Sequence, residues 1–259
     1  MKKRKLLTLC CALLGGFHTH AQTGYDPAPE QAPEERLNRL RIGAVVAPGL
    51  AWMKPSAEKD GNQTQRSAGN KLSFMYGLMF DYEFAGNYAI STGLQINSTG
   101  GIIETSNPSA AELWASKTHM NYSLQYIELP VAIKLKTDRI NNFRIFGQAG
   151  LTIGFNIGKK ATYEIVQKNS TLGDSIYKTD VKEKLTGGIG VVAPVMFQMN
   201  LGTGIQYAVS QNVDAYIGVF FNNGFAPNAT DPTKNNKLPK FTDGNTRMNS
   251  FSLRLGFYF

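Results

Sequence analysis

Cysteine is nearly missing from this 259-residue chain: there are two, Cys10 and Cys11, side by side near the start. Histidine is almost as scarce, with three, and charged residues make up only 18%. No apolar stretch reaches the roughly 20 residues that a helix needs to cross a bilayer. These absences argue against a disulfide scaffold, a zinc site rich in soft ligands and a helical membrane protein. With 42% hydrophobic residues the chain is also too apolar for disorder. What is plentiful is glycine, 26 residues, together with 15 Phe and 11 Tyr. That mixture favours β-structure with close backbone approaches over helices.

The first residues have three parts. Lys2, Lys3, Arg4 and Lys5 form a basic region, Leu6 to Leu14 a short apolar run, and Thr19-His20-Ala21 a cleavage site with small residues at −3 and −1. This pattern predicts a secretory signal peptide over residues 1–21, removed after about Ala21. Cleavage would take both cysteines with it, and His18 and His20, leaving His119 alone. It would also lower the formal charge from +8 to +4, because four basic residues leave. The basic balance then reflects targeting and gives no reason to expect a nucleic-acid partner. Residues 22–39 are Pro-rich, polar and aperiodic, which predicts a flexible periplasmic leader.

From Leu40 the pattern changes to period two and holds almost to Phe259. Eight segments carry it: Leu40 to Trp52, Leu72 to Phe84, Tyr88 to Asn97, Met120 to Leu135, Phe143 to Ile157, Phe197 to Tyr207, Val213 to Phe221 and the closing SFSLRLGFYF. The fourth shifts phase early, which predicts a bulge near Gln125. A soluble sandwich also alternates, so the connections must decide. Ala85-Gly86-Asn87, Lys136 to Asn142 and Val209 to Asn212 are short. Met53 to Lys71, Ser98 to His119, Gly158 to Met196 and Asn222 to Thr246 are long. Strict alternation of short and long predicts an all-β fold: an eight-stranded antiparallel up-and-down transmembrane β-barrel over residues 40–259. Its tight turns would be periplasmic and its long loops extracellular. The polar faces hold Gly, Ser, Gln and Asn with few charges, as a lumen would, and barrel closure supplies the stability that disulfides do not.

Eight strands enclose a space that side chains fill, so a wide pore is not expected. The inward charges are Arg41, Asp81, Glu83, Glu128, Lys134, Arg144, Asp214 and Arg254, four of each sign. They suggest a proton or ion path, or a plug of ion pairs; the cost of burying unpaired charge favours the plug. Tyr82, Phe84, Tyr88, Phe143, Phe257 and Phe259 gather near periplasmic strand ends. Trp52, Phe155, Phe197 and Phe221 gather near the outer ends, as two aromatic girdles would. Residues 161–167 and 182–185 could extend the fifth and sixth strands as an extracellular hairpin. Phe257 and Phe259, closing an alternating final strand, resemble the signal read by the barrel-insertion machinery.

Catalytic patterns are scarce. There is no GxSxG, HExxH, Walker loop or dinucleotide fingerprint. His119 and Ser123 share a strand face but would lie about 13 Å apart at ~3.3 Å per residue. That is too far for a base to activate a nucleophile, and it departs from the adjacent His-Ser of lipid A deacylase barrels. The expectation is of no enzyme and no cofactor, with a lipid-modifying enzyme as the weak alternative.

Tyr126-Ile127-Glu128-Leu129-Pro130-Val131-Ala132-Ile133-Lys134 resembles the "Y-[IL]-E-[IL]-P-hydrophobic-K" strand of the PorT-like, porin-family outer-membrane β-barrels. Phe146-Gly147-Gln148-Ala149-Gly150 is similar to that family's next strand. The resemblance implies an outer-membrane barrel of a Gram-negative bacterium, in contact with outer-membrane lipid and inserted by the barrel-insertion machinery. It does not imply a pore. The expected role is a structural or interaction barrel whose extracellular loops bind a ligand or protein partner. The alternatives are a narrow channel and a component of a type IX secretion or gliding apparatus.

Overall fold

In the computed structural model residues 40–60, 63–106, 117–167, 175–178, 183–184, 192–227 and 246–259 are described. The expected signal peptide and leader lie outside the described residues, as does most of the loop between Asn222 and Thr246. Among the described residues every regular element is a strand: β1 Leu40–Pro55, β2 Lys59–Asp60, β3 Gln63–Gly69, β4 Lys71–Ala85, β5 Tyr88–Ser106, β6 Lys117–Lys136, β7 Phe143–Gln167, β8 Ser175–Lys178, β9 Glu183–Lys184, β10 Val195–Ala208, β11 Asp214–Gly224 and β12 Thr246–Tyr258. Eight of them close a ring. Each of β1, β4, β5, β6, β7, β10, β11 and β12 pairs antiparallel with the next, and β12 returns to β1 through Gly43↔Tyr258 to Pro55↔Thr246. Closure leaves no unpaired edge among the membrane-crossing strands, which is the condition for β-structure in lipid.

One end of the ring carries tight turns. Gly86-Asn87 joins β4 to β5 with Ala85 opposite Tyr88. Between β6 and β7, Ile140 and Phe143 exchange backbone hydrogen bonds of 2.9 and 3.1 Å. Asn141 takes the left-handed conformation there (φ 56°), which a short amide side chain tolerates. The other end is built of more than loops. β5, β6 and β7 run 19, 20 and 25 residues, well beyond the ~9–11 that a tilted strand needs to cross a bilayer. β3 extends the wall beside β5, and β8 and β9 pair with β7. The stretches 98–119 and 53–71, expected as loops, are therefore partly sheet. The extension expected from residues 161–167 is present, with β8 and β9 as its partners.

Side chains change sides of the chemistry, not of the strand. On β6, the even-numbered residues from Met120 to Lys136 face inward. From Leu135 to Ile127 the outward residues are apolar. From Gln125 to Lys117 the outward residues are Gln125, Ser123, Asn121, His119 and Lys117, and the apolar ones (Leu124, Tyr122, Met120) turn inward and are buried. The outside medium has changed from lipid to water, so the hydrophobic face changes from outer to inner. The phase shift seen in the sequence near Gln125 has this cause. A bulge does occur at that level, but its extra residue is Ile157 on β7: Gln125 pairs with Gly158 and Tyr126 with Asn156. Below Ile157 the even residues of β7 face inward, and above it Ala161 does.

Outside, the membrane band exposes Leu78, Ile90, Val131, Ile145, Ile217 and Leu255 among many others. Such a belt would be an aggregation hazard in water and is solvated in a bilayer. Exposed Tyr82, Phe84, Tyr88, Phe143, Phe257 and Phe259 ring the turn end. Toward the other end Trp52 packs against Phe221 with ring centroids 6.3 Å apart, and Phe197 against Phe225 at 6.2 Å.

Candidate functional site

The lumen is filled in layers. At the periplasmic end lies an ionic layer. Lys134 Nζ sits 2.6 Å from Asp81 Oδ2 and donates to the Tyr258 hydroxyl at 2.7 Å. Ser91 Oγ donates to the other Asp81 oxygen at 2.7 Å. Lys136 Nζ lies 2.5 Å from Glu83 and 4.0 Å from Asp81. Arg41 pairs with Asp214, which Arg139 from the β6–β7 turn also approaches at 3.7 Å. The Asp81 and Lys134 side chains are each 1% exposed. The Lys134 ammonium is boxed by the rings of Tyr258, Phe146 and Tyr216 at 4.9, 5.4 and 5.7 Å. Desolvated cation–π contacts of this kind offset part of the cost of burying the charge.

Glycine makes room for that box. A Cβ on Gly204 would come 2.7 Å from Phe146 Cζ, and one on Gly218 would come 3.0 Å from it. Sequence alternation puts these glycines on the inner face; the packed ring explains why nothing larger stands there.

Above the ionic layer is a layer of amides. Asn200 donates to Asn222, Asn222 donates to Ser250 at 3.1 Å, and Gln148 reaches Asn200 at 3.4 Å. Glu128 accepts from Asn97 Nδ2 at 2.8 Å and lies within the field of Arg254. Arg254 lays its guanidinium over Phe220 at 4.0 Å. At the extracellular end the interior becomes apolar. Met53, Met120, Met196 and Met248 pack with Tyr122, Tyr126 and Leu124. Methionine suits this place because its unbranched chain fills irregular gaps.

All eight inward charges named from the sequence lie on the inner side of their strands: seven are buried and Arg144 is half-buried opposite Gln206. Asp81 is brought to Lys134 and Arg41 to Asp214. Glu83 is brought to Lys136, which the sequence reading missed because it ended the strand at Leu135. One more step of the same alternation would have placed Lys136 inward. Arg139 was missed for a different reason: it belongs to a turn, where period two gives no facing.

A second charged group stands on the outer wall above the membrane band. Glu104 Oε1 accepts from Arg66 Nε at 2.9 Å, and its Oε2 lies 3.1 Å from Lys117 Nζ and 3.2 Å from His119 Nε2. Burial would push the Glu104 carboxyl up, but hydrogen bonds from Lys117 and Arg66, with the fields of Lys117 and His119, outweigh it and hold the group below its ordinary value. Strand register sets these residues in a row, Arg66↔Glu104↔His119↔Glu164. His119 therefore turns to Glu104, whereas Ser123 accepts from Lys71 Nζ at 2.6 Å. The two candidate catalytic side chains thus have different partners. No group of three metal-ligating side chains occurs among the described residues.

Three comparisons bear on identity. The sequence profile described as outer membrane protein beta-barrel domain matches residues 21–222. A search among curated proteins finds no match. Among solved structures, the chain is similar to Neisserial surface protein A, at 14% identity and TM-score 0.39, covering 84% of this chain and 95% of that one. It is similar to outer membrane protein OprG of Pseudomonas aeruginosa, at 11% identity and TM-score 0.44, covering 85% and 95%. It is also similar to the outer membrane protease OmpT of Escherichia coli, at 12% identity and TM-score 0.48, covering 86% and 96%. The last of these corrects the expectation that the chain is no enzyme. A protease stands among the similar barrels, so the barrel fold gives no ground for excluding catalysis.

Proposed function

The chain belongs to the outer membrane protein beta-barrel domain family, and from that premise we propose that it is a sealed interaction barrel. It resides in the outer membrane. The observation that carries the sealed reading is the ionic layer. Asp81, Lys134 and Tyr258 come from β4, β6 and β12 and meet across the lumen through bonds of 2.6 and 2.7 Å. The methionine layer narrows the same interior again nearer the outside. A solute would have to break buried ion pairs and then displace packed side chains, both costly steps.

The interaction part of the reading is supported by the wall formed by the upper parts of β3, β5, β6 and β7. A barrel needs no such height to sit in a bilayer. The wall presents the Arg66–Glu104–His119 group on its outer face, a polar surface suited to a protein or ligand partner. The likeness of the Tyr126–Lys134 strand to PorT-like barrels makes a secretion or gliding component one such partner.

Two measurements test this. Liposomes holding the refolded protein should not swell in sugar-sized solutes, and rapid swelling would replace the sealed barrel with the narrow-channel reading. Cross-linking in intact outer membranes, with a photo-reactive group at Arg66 or Lys117, should give a discrete adduct. A ladder no different from that of the same probe at turn residue Asp138 would remove the interaction reading.

A further inference from the structure

On four neighbouring strands the outward face turns from apolar to polar at one level: Leu72 to Lys71 on β4, Ile96 to Ser98 on β5, Ile127 to Gln125 on β6 and Ile157 to Lys160 on β7. Leu72 and Ile157 are 82% and 51% exposed, so the apolar side of this line is open to lipid. A cleft of about 310 Å³ lies on the line, lined by Lys71, Ser98, Ser123, Gln125, Lys159 and Lys160 along with Leu72 and Gly158. Three lysines line it and no acidic side chain does.

Gly100 shapes the cleft. A Cβ there would collide with the Tyr122 carbonyl and come 3.0 Å from Lys71 Cδ. The bare backbone lets the Lys71 side chain cross β5 to reach β6. There its ammonium donates to Asn121 Oδ1 at 2.8 Å, Tyr122 O at 2.9 Å and Ser123 Oγ at 2.6 Å. Three acceptors match the three hydrogens of an ammonium, so Lys71 supplies a fixed positive charge. Ser123, accepting from Lys71, keeps its own hydroxyl hydrogen to donate into the cleft. Lys160, just above the bulge at Ile157 and opposite outward-facing Ser123, provides an ammonium donor at its rim, whereas Lys159, opposite buried Leu124, borders the cleft with its side chain on the inner side of the strand.

We propose that this cleft is a headgroup site for a phosphorylated glycolipid of the outer leaflet. The phosphate sits between Lys71 and Lys160 and accepts from Ser123, while the adjoining acyl chain lies down the wall past Leu72 and Ile157. Charge complementarity selects a phosphate. The apolar wall directly below selects a lipid over a free anion, because a soluble phosphate has no use for it.

The test uses the full mature barrel in detergent micelles, titrated with diphosphorylated lipid A and read by native mass spectrometry. We expect one lipid retained per barrel, and about fivefold weaker retention in the Lys160→Gln variant, the loss of one lysine at the headgroup level. Lys160 is exposed at the cleft rim, and unchanged heat-dependent gel mobility would show that the variant is folded. Dephosphorylated lipid A should be retained no better by the native barrel than by the variant. Inorganic phosphate at equal concentration should not compete. Equal retention of the two lipids, unchanged retention by the Lys160→Gln variant, or displacement by inorganic phosphate would each overturn the assignment.

Discussion

Replacing Lys134 by Met tests the ionic layer where it is most fully buried. Methionine keeps much of the length and all of the apolar stem but removes the charge. Asp81 then loses a partner at 2.6 Å and Tyr258 loses a donor at 2.7 Å. Removing one member of a buried pair costs about 3–5 kcal/mol, because the other charge stays desolvated. Here Asp81 keeps the Ser91 hydroxyl and Lys136 at 4.0 Å, so the expected loss lies at the low end, about 3 kcal/mol. That is roughly two decades in the folding equilibrium constant, since ~1.4 kcal/mol is a factor of ten. Asp81→Asn should cost a similar amount by stranding Lys134. In the double variant neither charge is stranded, so its loss should fall short of the summed single losses by at least ~1.5 kcal/mol. The assay is urea unfolding in lipid vesicles, followed by tryptophan fluorescence and gel mobility. Additivity of the two losses to within ~0.5 kcal/mol would refute the reasoning, because it would mean that the two groups do not interact.

Three further predictions concern the wall, the band and the chain end. Val131, in the middle of the apolar band and 53% exposed, should lose about 2–4 kcal/mol of folding free energy on substitution by Arg; Leu72, 82% exposed but at the boundary, should lose only ~0–1. The reverse order in vesicle unfolding would misplace the membrane. The Glu104 carboxyl, held below its ordinary 4.5, contributes stability that is fully present above that value and is lost as pH falls through the depressed one. Amide exchange in the upper parts of β5 and β6 should therefore accelerate on going from pH 6 to pH 3, and Glu104→Gln should remove that step; an identical acceleration in the variant would assign it elsewhere. Deleting Phe259 removes an exposed terminal ring and an amide that donates to Ile42 O at 2.7 Å, and should lower the heat-modifiable form in outer membranes; normal accumulation would contradict an insertion role.

The sequence carried the membrane-crossing part of the fold because lipid outside and a polar lumen inside impose a strict alternation. Phe251, Leu253, Leu255, Phe257 and Phe259 are exposed, whereas Ser252, Arg254 and Tyr258 are buried. The same logic places the inward charges and the short turns. It breaks down above the membrane, where the outer face meets water. There Ser98, Asn121 and Ser123 face out and Met120, Tyr122 and Ile103 face in, so the hydropathy pattern inverts while the strand runs on. Read as hydropathy alone, the inversion looked like a bulge on the fourth segment and long loops on either side. The pairing of Asp81 with Lys134 depends on register between β4, β5 and β6, which no single-strand periodicity contains. The lysine cleft joins residues from four strands around a glycine whose purpose only the crossing side chain reveals.

The central claim is that buried ion pairs and packed methionines close this outer-membrane barrel to solutes. Single-channel recording of the refolded protein in a planar bilayer tests it most directly. The account predicts a flat trace at all voltages for the native chain. Reproducible conductance steps, present in native protein and altered by Lys134→Met, would contradict it and make the same residues the wall of a narrow ion path.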